Sequence, residues 1–292
     1  MRSAFIKLHL SIFLAGFTGI FGRLIELSEV PLVWYRMLLT SLMFLAYMHL
    51  SGKLHAIPLK DVMKIVVVGI LLALHWIFFY GSVKYANVSV AVVCFALAGF
   101  FTALLEPLLL KRFFSLREIC FSFLSVIGIV LIFHFDTHFR VGIVLGVWSA
   151  LLAAAFTIGN KMVGRTHPPT TILLYQMIGG VSFITLLLPF FLTVFPDASI
   201  VPSFSDLGYL FLLASLCTIG MYLFQLQALQ YISAFTVNLS FNLEPVYSII
   251  LAMLFLGEGA ELGPPFYAGL VLLCASVALQ TASALRQRPL RM

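Results

Sequence analysis

The chain has 292 residues, of which 62% are hydrophobic and only 10% are charged. Soluble domains carry about 25% charged residues, so this composition excludes a soluble protein and indicates an integral membrane protein embedded in a lipid bilayer. The net charge of +6 does not indicate a nucleic-acid partner, because the basic residues lie between apolar runs, as membrane topology requires.

Ten stretches are long and apolar enough to cross a bilayer as helices, which takes about 20 residues each. In chain order they lie near 8–25, 31–50, 63–83, 89–110, 117–134, 142–162, 170–194, 207–229, 235–256 and 265–285. The predicted fold class is therefore all-α integral membrane, with about ten transmembrane helices. The connections are short and leave no room for a soluble catalytic domain.

Lys and Arg are distributed unequally between the two sides of the membrane. Thirteen of the 17 basic residues fall on the side that holds both termini, and three fall on the other side. Because basic residues favour the cytoplasmic side, we predict cytoplasmic N- and C-termini in a bacterial plasma or inner membrane.

The two halves of the chain are similar to each other. The segment WIFFYGSVKYANVSVA, which starts at Trp76, aligns with YLFQLQALQYISAFTV, which starts at Tyr222. Each half has five spans, an odd number, so the second half inserts upside down. The prediction is two inverted five-helix repeats at 1–135 and 142–286, followed by a basic cytoplasmic tail at 287–292. Inverted repeats place a substrate site at the midplane and alternate its access.

The ninth span carries Glu244-Pro245 near its middle. An ionisable group at that depth is costly unless it faces a packed interior or a wet cavity, so Glu244 is predicted to be functional. The alternative is a protonated Glu that caps backbone left open by Pro245, which should weaken or kink the helix. Asn238 and Asn242, four residues apart, share a face that should point inward. Hydrogen bonds between helices explain each Asn equally well.

The remaining candidates lie in the second, third and eighth spans. Arg36 could hold a substrate carboxylate, and a structural Arg is an equally good interpretation. His75, Trp76 and Tyr80 in the third span could form an aromatic wall, although aromatic stripes on membrane helices more often serve packing. The predicted substrate-binding set is Glu244, Asn242, Asn238, Arg36, Trp76, Tyr80, His75, Tyr222 and Gln225, with no catalytic residue and no metal ligand.

Ten spans, two repeats and Pro245 followed by Leu256-Gly257-Glu258 resemble the drug/metabolite transporter superfamily, in particular its EamA-type ten-helix branch. Arg36 matches an Arg often found in the second span of that family. The first repeat departs from the pattern, because Gly99 stands where Pro is usual and Leu110-Lys111-Arg112 replaces Leu-Gly-Glu. The resemblance implies a transporter of metabolites, a group that includes amino-acid exporters.

The predicted function is a secondary transporter that exports a small metabolite by alternating access and without a cofactor. An amino acid is the first candidate for the substrate. Proton coupling through Glu244 is a hypothesis that rests on its depth. The alternative is a drug or organic-cation efflux pump. A membrane-embedded enzyme is disfavoured, because no Asp lies in a predicted span and the chain has no H-E-x-x-H or Walker motif. The sequence carries no signal for the oligomeric state.

Overall fold

The structure is a computed structural model, and the part of the chain that it describes is almost entirely helical. It describes residues 2–54, 56–111, 113–116, 119–120, 123, 126–127, 139–241, 243–257, 264, 267–272, 275–276 and 278–279. These residues form helices joined by short turns, with no strand among them. The all-α prediction is confirmed. The predicted tail at 287–292, and most of the predicted spans at 117–134 and 265–285, lie outside the described residues.

The helices of the two halves follow the predicted spans, with three internal interruptions. The first half contains α1 (Arg2–Leu24), α2 (Glu29–Leu50), α3 (Leu59–Tyr85), α4 (Val88–Phe95) and α5 (Ala98–Leu110). The second half contains α6 (Arg140–Val163), α7 (Pro169–Val194), α8 (Phe204–Ala214), a π-helix (Ser215–Gly220), α9 (Met221–Leu229), α10 (Ala234–Phe241) and α11 (Glu244–Leu256).

Seven helical stretches within the described residues are long and apolar enough to cross a membrane. Two of them are composite: α4 and α5 together form the span Val88–Leu110, and α8, the π-helix and α9 form the span Phe204–Leu229. The helix α11 is apolar but shorter. The predicted ninth span therefore consists of α10 and α11, with a break between them.

Helix caps occur at matching positions in the two halves. Asn87 precedes α4, and its Oδ1 accepts the N–H of Val90 at 2.8 Å. Ser233 precedes α10, and its Oγ accepts the N–H of Thr236 at 3.1 Å. An oxygen-bearing side chain that accepts an early N–H is the usual way to start a helix. Both caps obey the register that aligns Trp76 with Tyr222.

The break between α4 and α5 matches the break between α10 and α11 in this register. The N–H of Leu97 bonds to the residue three before it at 3.0 Å, and the N–H of Leu243 does the same at 3.0 Å. Such i→i+3 bonds tighten the backbone and end an α-helix. The break predicted from Pro245 is present just before that proline. It does not depend on the proline, because the first half breaks at the same place with Gly99.

A left-handed residue ends the second helix of each pair. Lys111 follows α5 with a φ of 52°, and Gly257 follows α11 with a φ of 71°. Glycine is the usual residue at such a cap, because a Cβ is strained at positive φ. The first half thus keeps the geometry of the Leu-Gly-Glu ending although its sequence there is Leu-Lys-Arg.

The two halves interleave rather than stand side by side. The helix α3 packs against α6 and α7, and α1 packs against α9 and α11. Gly69 on α3 permits the closest crossing, because a Cβ at that position would lie 2.4 Å from the carbonyl oxygen of Gln176 on α7. The centre of the molecule is consequently lined by helices from both halves.

Candidate functional site

A cavity of about 40 Å³ lies where α1, α2, α3, α4, α6, α9, α10 and α11 meet. That volume holds about three water molecules. Of the nine residues predicted from the sequence, seven line it: Arg36, His75, Trp76, Tyr222, Gln225, Asn238 and Glu244. Tyr80 lies beside the cavity in contact with Arg36. Asn242 lies outside the described residues.

Arg36 is fully buried on α2, and its guanidinium is held by three hydrogen bonds. Nε donates to Thr218 Oγ1 at 2.8 Å, and the two terminal nitrogens donate to Tyr80 Oη at 2.7 Å and to the carbonyl oxygen of Cys217 at 2.9 Å. The guanidinium also stacks over Trp76, 3.6 Å from the ring centre. Within the described part of the chain, three of its five N–H donors are used and two have no protein acceptor.

The π-helix supplies two of the acceptors for Arg36. In this segment Thr218 Oγ1 also donates to the carbonyl oxygen of Leu213 at 2.7 Å, which fixes its lone pairs toward the guanidinium. A π-helix widens the turn and frees carbonyl groups, and such segments often occur at functional sites. Nothing in the sequence indicated this segment, because its geometry depends on the packing of α8 and α9 against α1 and α2.

Glu244 is the first residue of α11 and is 4% exposed. Among the described residues, no hydrogen-bond donor or cation is recorded within bonding distance of its carboxyl group. Its position at a helix N-terminus favours negative charge, because the free N–H groups of the first turn carry partial positive charge. Glu244 and Arg36 are the two charged side chains in the described lining. The Arg36 guanidinium likewise has no carboxylate within 4.0 Å in the described part of the chain.

His75 and an aromatic cluster form one wall of the cavity. His75 Nδ1 lies 2.9 Å from Ser149 Oγ and 3.0 Å from the Ser149 carbonyl oxygen, so α3 and α6 are joined at this point. Tyr222 packs edge-to-face against Trp76 and Phe156, with ring centres 5.6 and 5.7 Å away. Phe156, contributed by α6, was not predicted from the sequence.

The two remaining amides differ in their bonding. Asn238 Nδ2 donates to Thr102 Oγ1 at 2.8 Å, and Asn238 Oδ1 accepts from Thr157 Oγ1 at 2.9 Å. Asn238 thus joins α10 to α5 and α6, as the interhelical alternative proposed. Gln225 is 5% exposed, and its Oε1 has no hydrogen-bond partner among the described residues. Its amide oxygen can therefore accept a hydrogen bond from a ligand in the cavity.

Hydrogen bonds to one carboxylate and to backbone carbonyls join the helix ends around the central cavity. Near the start of the α8–α9 span, Asp206 Oδ1 accepts the N–H of Glu26 at 2.9 Å. Lys84 Nζ donates to the carbonyl oxygen of Ile25 at 2.5 Å beside it. At the other end of that span, Lys161 Nζ donates to the carbonyl oxygen of Ile232 at 2.6 Å and also to that of Leu229.

The fold and the site together define a multi-pass membrane protein with a small, charged, buried cavity between two similar halves. The EamA-like transporter family matches residues 2–134 and 140–282, which is nearly the whole chain. The protein belongs to this family. The predicted all-α membrane fold with two inverted repeats is thereby confirmed, and its general role is that of a membrane transporter.

Related proteins agree with this assignment. An uncharacterized transporter of Bacillus subtilis named YxxF is 24% identical over 290 residues, covering 95% of this chain and 89% of that protein. An uncharacterized transporter of Haemophilus influenzae is 26% identical over 162 residues, covering 52% of this chain and 53% of that protein. A solved crystal structure with 15% identity has a TM-score of 0.71 over 98% of this chain and 99% of that chain, which shows a shared fold.

Proposed function

We propose that the protein exports a small zwitterionic metabolite, an amino acid, through the central cavity. The observation that carries the proposal is the pair of buried charges in its lining, Arg36 from the first half and Glu244 from the second. A buried charge without an opposite charge in contact is costly. An amino acid supplies both opposite charges: its ammonium group would bind Glu244, and its carboxylate would bind the two unused N–H groups of Arg36.

The size of the cavity and the interleaved repeats support a mechanism of alternating access. A cavity of about 40 Å³ holds only about three water molecules and is too small for an amino acid. The surrounding helices must therefore separate before a substrate can bind. The hydrogen bonds of Asp206 and Lys84 hold neighbouring helix ends together at one end of the α8–α9 span. The hydrogen bonds of Lys161 do the same at the other end. We propose that these hydrogen bonds break in turn as access changes from one side to the other.

Export is the direction that the resemblance to metabolite exporters favours, with cytoplasmic termini in a bacterial inner membrane. The two bacterial relatives support a bacterial membrane, and the excess of basic residues on one side supports cytoplasmic termini. Labelling with a membrane-impermeant thiol reagent tests it. In intact cells a cysteine that replaces Asp197 should react, and a cysteine that replaces Gly52 should not. Reaction at Gly52→Cys alone would invert the topology.

Substrate counterflow in proteoliposomes tests the substrate class. Vesicles are preloaded with one unlabelled amino acid, and uptake of the labelled form is followed with and without a pH gradient. We expect a subset of amino acids to exchange. In the Glu244→Gln variant exchange should fall at least tenfold, because the neutral amide loses the charge that binds the ammonium group. Asp197→Asn is the control for loss of a carboxylate, because Asp197 is exposed between α7 and α8.

The pH gradient tests proton coupling separately. If Glu244 carries the proton, the residual transport of Glu244→Gln should no longer respond to the gradient. A full pH response in that variant would exclude coupling through Glu244. Unchanged exchange would exclude Glu244 as a substrate ligand.

An organic-cation efflux pump is the second candidate. Glu244 together with Trp76, Tyr222 and Phe241 would suit a cation, because aromatic faces attract positive charge. The charge of Arg36 in the same cavity opposes this function. Lipophilic cations are included in the counterflow panel, and their exchange in the absence of amino-acid exchange would favour this alternative.

A further inference from the structure

A second cavity, of about 350 Å³, lies away from the central site, between the end of α6, the start of α7 and the end of α9. Its described lining contains two basic residues and no Asp or Glu. The residues that matter for its chemistry are Asn160 and Lys161 on α6, Arg165 just after α6, Pro169 on α7, Leu229 at the end of α9 and Tyr231 just after it. The central cavity shares none of these residues.

Asn160 provides a buried donor in this lining. The side chain is 1% exposed, and its Oδ1 accepts from Gln176 Nε2 at 2.5 Å. Because this bond occupies the oxygen side of the amide, the Nδ2 group faces away from Gln176. Nδ2 has no hydrogen-bond partner among the described residues. Buried amide donors are nearly always paired, so an unpaired donor in a cavity wall indicates that the cavity binds a ligand with a hydrogen-bond acceptor.

Positive charge surrounds the same space. Arg165 is exposed, and no carboxylate in the described part of the chain lies within 4.0 Å of it. Lys161 is held at the edge of the cavity by its bonds to the carbonyl oxygens of Leu229 and Ile232. The helix α7 starts at Pro169 without a side-chain cap, so no capping side chain occupies the N–H groups of Thr170 and Thr171 in its first turn.

We propose that this cavity binds a phosphate group. The donors converge from the Arg165 guanidinium, the N-terminus of α7 and the Asn160 amide, with the positive charge of Lys161 beside them, and each of these groups favours an anion with several acceptor oxygens. The cavity lies at the ends of membrane-spanning helices, where phospholipid headgroups are found, and Ile172, Leu226 and Leu229 give it an apolar side for the glycerol and acyl carbons. The phosphate therefore comes either from an anionic lipid headgroup or from free phosphate. The proposal does not depend on the transported substrate.

The full-length protein in detergent is suitable for the test. Its thermal unfolding temperature is titrated with dioctanoyl phosphatidylglycerol, dioctanoyl phosphatidylcholine and inorganic phosphate, since a ligand that binds the folded state raises the temperature in a saturable way. The Arg165→Gln variant should weaken phosphatidylglycerol binding about fivefold. The Asn160→Asp variant should weaken it at least tenfold, because it keeps the oxygen for Gln176 but replaces the free donor by a negative charge. Arg140→Gln, at the other end of α6, is the matched control.

The outcomes separate the two sources of phosphate. Saturable binding of phosphatidylglycerol with weak binding of inorganic phosphate supports the site and assigns it to a lipid. Equal binding of inorganic phosphate, lost in the Arg165 and Asn160 variants, supports the site and assigns it to a soluble anion. Equal weakening in Arg165→Gln and Arg140→Gln shows only general attraction of basic residues for anions and overturns the proposal, as does the absence of saturable binding with all three probes.

Discussion

The Arg36→Lys substitution tests whether the central cavity depends on the planar guanidinium or only on a positive charge. Arg36 directs three hydrogen bonds to three separate acceptors, on Thr218, Tyr80 and Cys217, and stacks on Trp76 at 3.6 Å. A lysine has one ammonium group at the end of a flexible chain and cannot reach acceptors placed around a planar fork. We therefore expect the substitution to destabilise the fold although the charge is kept.

The size of the effect follows from the bonds that are lost. Of the three hydrogen bonds, a lysine can replace at most one. Each hydrogen bond to a charged group contributes about 1.5–3 kcal/mol, so the loss of two costs about 3 kcal/mol at the lower end of that range. At roughly 2 °C per kcal/mol for a chain of this length, the unfolding temperature should fall by about 6 °C. Loss of stacking on Trp76 would add to the fall.

The assay is thermal unfolding of the purified protein in detergent, with counterflow measured on the same preparations. Arg23→Lys is the matched control, because Arg23 is exposed at the end of α1 and should tolerate the change within about 1 °C. The Tyr80→Phe variant removes a single acceptor and should cost about half of the Arg36→Lys effect, because one hydrogen bond is lost instead of two. An Arg36→Lys variant as stable as the Arg23→Lys control, with unchanged exchange, would refute the role given to the guanidinium.

Two further substitutions test the packing between the halves and the equivalence of their helix ends. Gly69→Ala should destabilise the protein by about 1–3 kcal/mol, because the added Cβ would lie 2.4 Å from the Gln176 backbone. Gly208→Ala is the control, because its Cβ would point into open space, and this variant should be neutral or slightly stabilising. Equal unfolding temperatures of the two variants would contradict the close crossing. Lys111→Gly should raise stability by about 1 kcal/mol, because it removes the backbone strain of a lysine at positive φ, where the second half has Gly257. A lower unfolding temperature would show that the lysine side chain makes a compensating contact.

Hydropathy predicted the membrane spans well because a bilayer imposes a single requirement, about 20 apolar residues in a helix, that can be counted in a sequence. The same requirement made Glu244 and Arg36 conspicuous, since charge inside a span is costly. The structure places both in one cavity. The long separation of Arg36 and Glu244 in the sequence did not hinder this prediction, because each charge was identified from the apolar residues that flank it.

Features that depend on contacts between distant segments could not be predicted. The bond from Arg36 to Thr218 joins residues 182 positions apart, and the π-helix that presents Thr218 leaves no pattern in the sequence. The break before Glu244 was inferred from Pro245, yet the first half breaks without a proline. A proline is therefore not required for a break at this place, and composition gives only a partial indication of it.

The arrangement of charge shows why a nearly symmetric backbone can hold an asymmetric solute. The halves share caps, breaks and left-handed helix ends, but Ala98 in the first half stands at the position of Glu244 in the second. Gln176 on α7 is likewise the sequence counterpart of Arg36 on α2. Each half therefore contributes one charge, of opposite sign, from a different helix. Under the proposed function, a solute with one cationic and one anionic end binds these two charges in a single orientation once the cavity has opened, whereas a solute with two like ends leaves one protein charge unpaired.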